Sequence, residues 1–173
     1  MKKIFQMISL VSLMVFASAC EEALDIIASP NNPASSTPEL TLPVAQVAQA
    51  YTICLDFSIL AGFMTLYWTQ SPLATQYASF VRFNFIYTAS ATGWLHSWAW
   101  VLEDLEFLIK QEIENCKPNH SAIANFLQAY QFQLLVDQFD QIPFEEALQG
   151  KGGNLTATYE EGSAVYSKLI NKI

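Results

Sequence analysis

The sequence predicts an all-α body of antiparallel helix pairs. Apolar residues recur at intervals of three and four along most of the chain after residue 43, which is the period of one buried helical face. The joins between these stretches are short and carry Pro, Gly, Asn or Asp, residues that turn or break helices. A Thr-x-x-Glu pattern at 158–161 and Asn119 ahead of an apolar run read as helix starts. Helix pairs with short joins stack as solenoids or bundles.

Val44, Val47, Ala48, Tyr51, Cys54, Leu55, Ile59, Phe63 and Leu66 form one stripe, so a first helix is expected over 44–66, with Pro43 in its first turn. Asp56 interrupts the apolar run and argues against a membrane span. Ser71-Pro72 should end regular structure. Residues 69–88 read as an ordered loop with helical turns, dense in aromatics: Tyr77, Phe80, Phe83, Phe85 and Tyr87. Alternation at 83, 85 and 87 leaves a short strand as the other reading. The clearest helix carries Ala91, Trp94, Leu95, Trp98, Val101, Leu102, Leu105, Leu108 and Ile109, and should stop near 115–118. Trp94 and Trp98 lie on its core stripe, and Trp100 lies off it, packed on the next element. A third helix over 120–139 has so broad an apolar surface that burial on more than one side is expected. A turn at 140–143, a helical turn at 144–148 and a glycine-rich loop at 149–154 follow. The capping box Thr158-Tyr159-Glu160-Glu161 should open a last helix bearing Val165, Tyr166, Leu169 and Ile170. Nothing after it can cover its apolar side, so the body is expected to be incomplete at its C-terminus.

The length of 173 residues suits one domain, and 52% apolar against 14% charged residues argues against disorder. Sixteen acids face eight bases, a net charge of −8, the wrong sign for a nucleic-acid binder. Three cysteines are too few for a disulfide scaffold, although Cys54 and Cys116 could pair outside the cell. Lys2 and Lys3 precede an apolar run at 4–16 and then Ala17-Ser18-Ala19-Cys20. This is the pattern of a secretory leader, too short to span a bilayer. Small residues before a cysteine resemble the bacterial lipobox, which implies removal of 1–19 and acylation of Cys20; the usual Leu at the third position before the cysteine is Ala17. Glu21, Glu22 and Asp25 resemble the export signal of surface lipoproteins in Bacteroidetes. Losing Lys2 and Lys3 leaves six bases against sixteen acids, a net −10, which favours solubility and suits neutral ligands better than anionic ones. Four prolines and five Ser or Thr within 28–43 read as an extended segment, so 20–43 is expected to be a tether and 44–173 the folded body.

The stretch LVDQFDQIPFEEALQG at 135–150, followed by NLTATYEEGSAVYSKLI at 154–170, is similar to the SusD/RagB family of outer-membrane lipoproteins. Asp137, Phe139, Ile142, Pro143, Phe144, Glu146 and Ala147 match the family turn, and Tyr159, Val165, Tyr166 and Leu169 match beyond it. The leader, the Pro-rich segment and the Trp-rich run at 94–105 agree in order. Asp140 stands where the family has glycine, and Gln141 where it has an acid. Asp tolerates left-handed backbone better than most residues, so the turn should survive. The resemblance covers the chain, but family members run much further, which implies an N-terminal part of a longer scaffold. It implies tetratricopeptide-like helix pairs forming an α-α solenoid. It also implies a non-enzymatic lipoprotein on the outer face of the outer membrane that captures oligosaccharide or another nutrient for a SusC-like TonB-dependent transporter.

Sugar capture uses aromatic faces with amides or an Arg beside them. Trp68 and Gln70, with Tyr77 and Arg82 close in sequence, are the candidate ligand residues; the other reading of Trp68 is a cap on the core. Asp137, Asp140, Pro143 and Glu146 coincide with the family turn, which favours a structural role over a glycosidase pair. His96 and His120 lie far apart with no further ligand near, so no metal, cofactor or catalytic residue is expected. No Ser-His-Asp order, P-loop or GxGxxG is present. Three functions compete: nutrient-binding lipoprotein, surface glycoside hydrolase, and helical-repeat lipoprotein that binds protein. A truncated, non-functional fragment is a further alternative. A hydrolase would need a catalytic pair, and a repeat adaptor would need copies at about 34 residues, of which none is clear.

Overall fold

The computed structural model describes residues 36–84, 90–115 and 118–172, with backbone alone at 112–115. The leader, Cys20, Phe85, Tyr87 and Cys116 lie outside the described residues, and with them the acylation site, the strand reading and the Cys54–Cys116 pairing. Cys54 is exposed.

Three helical rods form the body. The first comprises α1 (Pro38–Tyr51), a π-helical stretch Thr52–Phe57, and α2 (Ser58–Met64). It begins at Pro38, ahead of the expected start at residue 44, so 38–43 belongs to the helix and not to the tether. Thr37 at the N-cap position, Pro38 in the first turn and Glu39 beside it suit a helix start, and Pro43 is accommodated within α1. After a loop, α3 (Ala78–Val81) is one helical turn. The second rod is α4 (Ala91–His96), a π-helical stretch Ser97–Leu102 and α5 (Glu103–Asn115). The third is α6 (Pro118–Phe139). Strand β1 (Ile142–Pro143) pairs antiparallel with β2 (Tyr159–Glu160), Ile142 opposite Glu160 and Pro143 opposite Tyr159. Helix α7 (Gly162–Lys172) closes the described chain.

The expected capping box does not form. Tyr159 and Glu160 are held extended by β1, and the carbonyl of Glu161 accepts the first helical N–H groups, from Ala164 and Val165. Glu161, not Thr158, therefore occupies the N-cap position.

Two apolar clusters make the core. Ala45, Val101, Leu105, Leu108 and Ala124 join α1, the second rod and α6. Leu102, Phe132, Leu135, Val136, Ile142, Val165 and Leu169 join the second rod, α6, β1 and α7, and Trp94 and Trp98 pack against them. The expected burial of α6 on more than one side holds only in part: Ile123, Phe126 and Tyr130 stay exposed, and part of what the helix buries is polar, with Ser121, Gln128 and Gln131 sealed beside its apolar residues. Gln131 Nε2 donates to Ser97 Oγ (2.8 Å), and Gln49 Nε2 donates to Leu127 O (2.8 Å) and Gln131 Oε1 (3.3 Å). By length and composition the first rod could cross a membrane. Here its Ala45, Gln49, Thr52 and Phe63 are buried against the rest of the protein.

Candidate functional site

The loop after α2 brings Trp68, Gln70 and Tyr77 together around Phe63. Leu66 adopts left-handed backbone (φ 59°) to turn the chain, and the Trp68 N–H donates to Gly62 O (3.0 Å). The Trp68 ring lies over Gly62, leaving no room there for a Cβ, and edge-on to Phe63 (6.5 Å). Half of the residue remains exposed. Gln70 is engaged within the loop: its Oε1 accepts the Tyr77 N–H (3.0 Å) and its Nε2 donates to Ala74 O (3.1 Å). Tyr77 stacks on Phe80 (5.9 Å, 17°). Arg82 is exposed at the end of α3.

Two cavities share Ser90, and the smaller of them reaches Tyr77 at the end of this loop. The smaller, about 220 Å³, is lined by Asp56 and Ile59 of the first rod, Tyr77, Phe80, Ser90, Thr92 and Gln138 among others. The larger, about 490 Å³, is lined by Ser90, Ala91, Trp94, Phe139, Gln141 and Tyr159. Ser90 lines both, and the two together, bounded by the first rod, the start of α4 and the end of α6, are the trough of this face. At one end the Trp94 and Tyr159 rings lie parallel (1°, centroids 6.2 Å apart), with Phe139 edge-on to Trp94 (4.9 Å). At the other end stands the Tyr77–Phe80 stack. Ser90, Thr92, Gln138 and Gln141 contribute hydroxyl- and amide-bearing residues to the lining.

Asp56 is the charged residue of this lining. Its Oδ2 lies 2.6 Å from His96 Nδ1, with side-chain exposures of 14% and 9%. The His96 ring stacks on Trp100 (3.8 Å, 16°), with Tyr51 edge-on at 5.6 Å. The rods pack closely here: a Cβ on Gly93 would stand 3.4 Å from Asp56 Cβ, in ordinary van der Waals contact. Both partners belong to or adjoin π-helical stretches, a feature frequent at functional sites.

Of the four ligand residues named from sequence, Tyr77 lines the trough. Trp68, Gln70 and Arg82 line neither cavity. Asp56, Gln138, Gln141, Trp94 and Tyr159, which also line it, were not among the four. Asp56 carried a signal, as a lone acid within an apolar helix; Trp94 was indistinguishable from core by its spacing.

The turn residues are tied to the elements around them. Asp140 is left-handed (φ 62°), and its N–H donates to Val136 O (2.8 Å). Asp137 accepts the Tyr166 hydroxyl, Pro143 pairs with Tyr159, and Glu146 Oε2 accepts the Thr158 N–H (2.8 Å). That backbone N–H, followed by the Thr158 side chain, holds the Glu146 carboxyl below its ordinary value of 4.5. Among the described residues, no group of three or more His, Cys, Asp or Glu is placed to hold a metal ion.

Residues 30–173 match a family model, SusD-like, described as starch-binding and associating with the outer membrane. The chain belongs to the SusD/RagB family. No curated protein matches it. The SusD-like match spans the whole described body, so the trough, the turn and both core clusters lie within it. The family is one of outer-membrane binding proteins, and its starch-binding description fits a trough that sets ring faces beside hydroxyl and amide groups.

Proposed function

We propose that this chain is a lipoprotein that captures oligosaccharide at the outer face of the outer membrane and delivers it to a SusC-like TonB-dependent transporter. The observation that carries the reading is the trough between the Tyr77–Phe80 stack and the Trp94–Tyr159 pair. Flat apolar faces suit pyranose rings, and convergent polar groups orient their hydroxyls. Trp68, Gln70 and Arg82 stand outside it and serve capture as a flanking surface; Gln70 does so by holding Tyr77. The chain binds and does not cleave. The anchor is acylated Cys20.

Calorimetric titration of the purified full chain with maltoheptaose tests the reading. Saturable binding with the sugar recovered intact is expected. Tyr159 is 57% exposed, and Tyr159→Ala should weaken binding about tenfold, the loss of roughly one aromatic contact, while the variant still melts cooperatively. Hydrolysis of the sugar would overturn the reading, as would no binding to maltoheptaose or to a panel of other neutral oligosaccharides. Delivery is tested by crosslinking in cells: capture of a TonB-dependent barrel is expected, and its absence under sugar-inducing growth would refute that half.

A further inference from the structure

Asp56 is a carboxylate on the first rod, and it lines the trough. A nearly buried carboxylate persists only when paired and hydrogen-bonded. One of its oxygens is held by His96 at 2.6 Å. Its other oxygen has no protein partner among the described residues. The His96 ring is clamped between Trp100 and Tyr51, so the carboxylate it holds has a defined orientation. Among the described residues no Lys or Arg lines either half of the trough.

We propose that Asp56, positioned by His96, is the specificity-determining acceptor of the trough: its free oxygen takes sugar hydroxyls and turns away ligands bearing carboxylate or sulfate. The inference rests on the glycan-capture reading above and adds the class of glycan. A fixed carboxylate accepts hydroxyl hydrogens strongly, because charge-assisted hydrogen bonds are short and about twice as strong as neutral ones. With no Lys or Arg among the described residues of the lining, nothing in the trough itself offers a second anion a partner. His96 acts through Asp56 and is a positioning residue. A purely structural pair, tying the first rod to α4, would hold stability but would not set which sugars bind.

The test compares the full chain with Asp56→Asn and Gln138→Lys, using maltoheptaose, xylohexaose, oligogalacturonate and chondroitin sulfate oligosaccharides as probes, with a thermal melt of each variant. The wild type should bind a neutral probe at least about tenfold more tightly than either acidic one. Asp56→Asn should weaken the neutral probe about tenfold or more and narrow the neutral-to-acidic ratio. If Asp56→Asn fails to fold, Gln138→Lys carries the test: an ammonium brought beside Asp56 should raise affinity for oligogalacturonate and lower the same ratio. His96→Gln, which keeps an N–H donor, should retain more of the ratio than His96→Ala. Equal or preferred binding of the acidic probes by the wild type overturns the proposal. So does a folded Asp56→Asn, or a Gln138→Lys, whose ratio is unchanged; in each of these cases glycan capture itself stands. No binding of any probe overturns the capture reading, and the proposal falls with it.

Discussion

Asp140 and Gly162 meet where α6 ends and α7 begins. Asp140 turns the chain through left-handed backbone, which costs an L-residue about 1–2 kcal/mol and is borne best by Gly, Asn and Asp. A Cβ on Gly162 would stand 2.7 Å from Asp140 Oδ1 and 2.9 Å from both Asp140 O and Val136 Cγ1, so glycine is required here by close approach. Gly162→Ala should lower stability by about 1–3 kcal/mol, the range for overpacking, read by urea denaturation. Asp140→Gly, the residue the family carries, should stay within about 1 kcal/mol of wild type, and Asp140→Val should lose about 1–2 kcal/mol. Nearby, Glu146 titrates with a known sign. Its folded carboxyl lies below the ordinary value of 4.5, so its contribution is fully present above that value. It is lost as pH falls through the depressed one. Glu146→Gln should therefore flatten the fall in stability below about pH 4.5 and leave stability at pH 7 less altered in slope, as measured by denaturation at stepped pH.

At the scale of elements, the three rods are joined by amides as well as apolar contacts. Gln131 bridges α6 to Ser97 of the second rod, and Gln49 of α1 bonds to both Gln131 and the Leu127 carbonyl. All three side chains belong to buried residues. Removing Gln131 leaves Ser97 Oγ with Gly93 O and Gln49 Nε2 with Leu127 O, so each loses one of two bonds, at about 0.5–1.5 kcal/mol each. Gln131→Ala is expected to lose at least that much. A double-mutant cycle with Ser97→Ala should show non-additive coupling, whereas strict additivity would mean the network is not energetically connected. This ladder explains what could and could not be read from sequence. The stripes through Val101, Leu105 and Leu108, and through Val165 and Leu169, were legible because core contacts follow helical period. The glutamines of α6 were not, since a polar residue on a helix reads as exposed unless its partner on another rod is known. Helix starts were half legible: Thr37, Pro38 and Glu39 form a start signal that the Pro/Ser composition around them hid. Glu161 displaced Thr158 because β1 competes for Tyr159 and Glu160, a contact across the turn that local pattern does not encode. The trough was legible only at Tyr77, because nothing local says that Trp94 and Tyr159, on separate elements, stack.

The whole molecule poses a question of attachment. Without residues 1–19 the chain carries a net −10, so it has no electrostatic affinity for an anionic bilayer surface. Two features could hold it at a membrane: acyl chains on Cys20, and the first rod, Pro38–Met64, which is long and apolar enough to span. The fold argues against the second. Insertion of the rod would carry Asp56 into hydrocarbon, at a cost of about 2.5–3.5 kcal/mol or more. It would also strip Gln49 from Leu127 and Gln131 and open the cluster around Ala45. Acyl chains contribute about 0.8 kcal/mol per buried CH₂, so two or more give stable anchoring with the rod left in the protein. The wild type should incorporate labelled palmitate and remain with outer membranes through high-salt and alkaline washes. Cys20→Ser should lose the label and pass entirely into the soluble fraction. Retention of unlabelled Cys20→Ser in washed membranes would mean that the rod itself inserts, and that the packed arrangement of α1 against α5 and α6 is not the membrane-bound state.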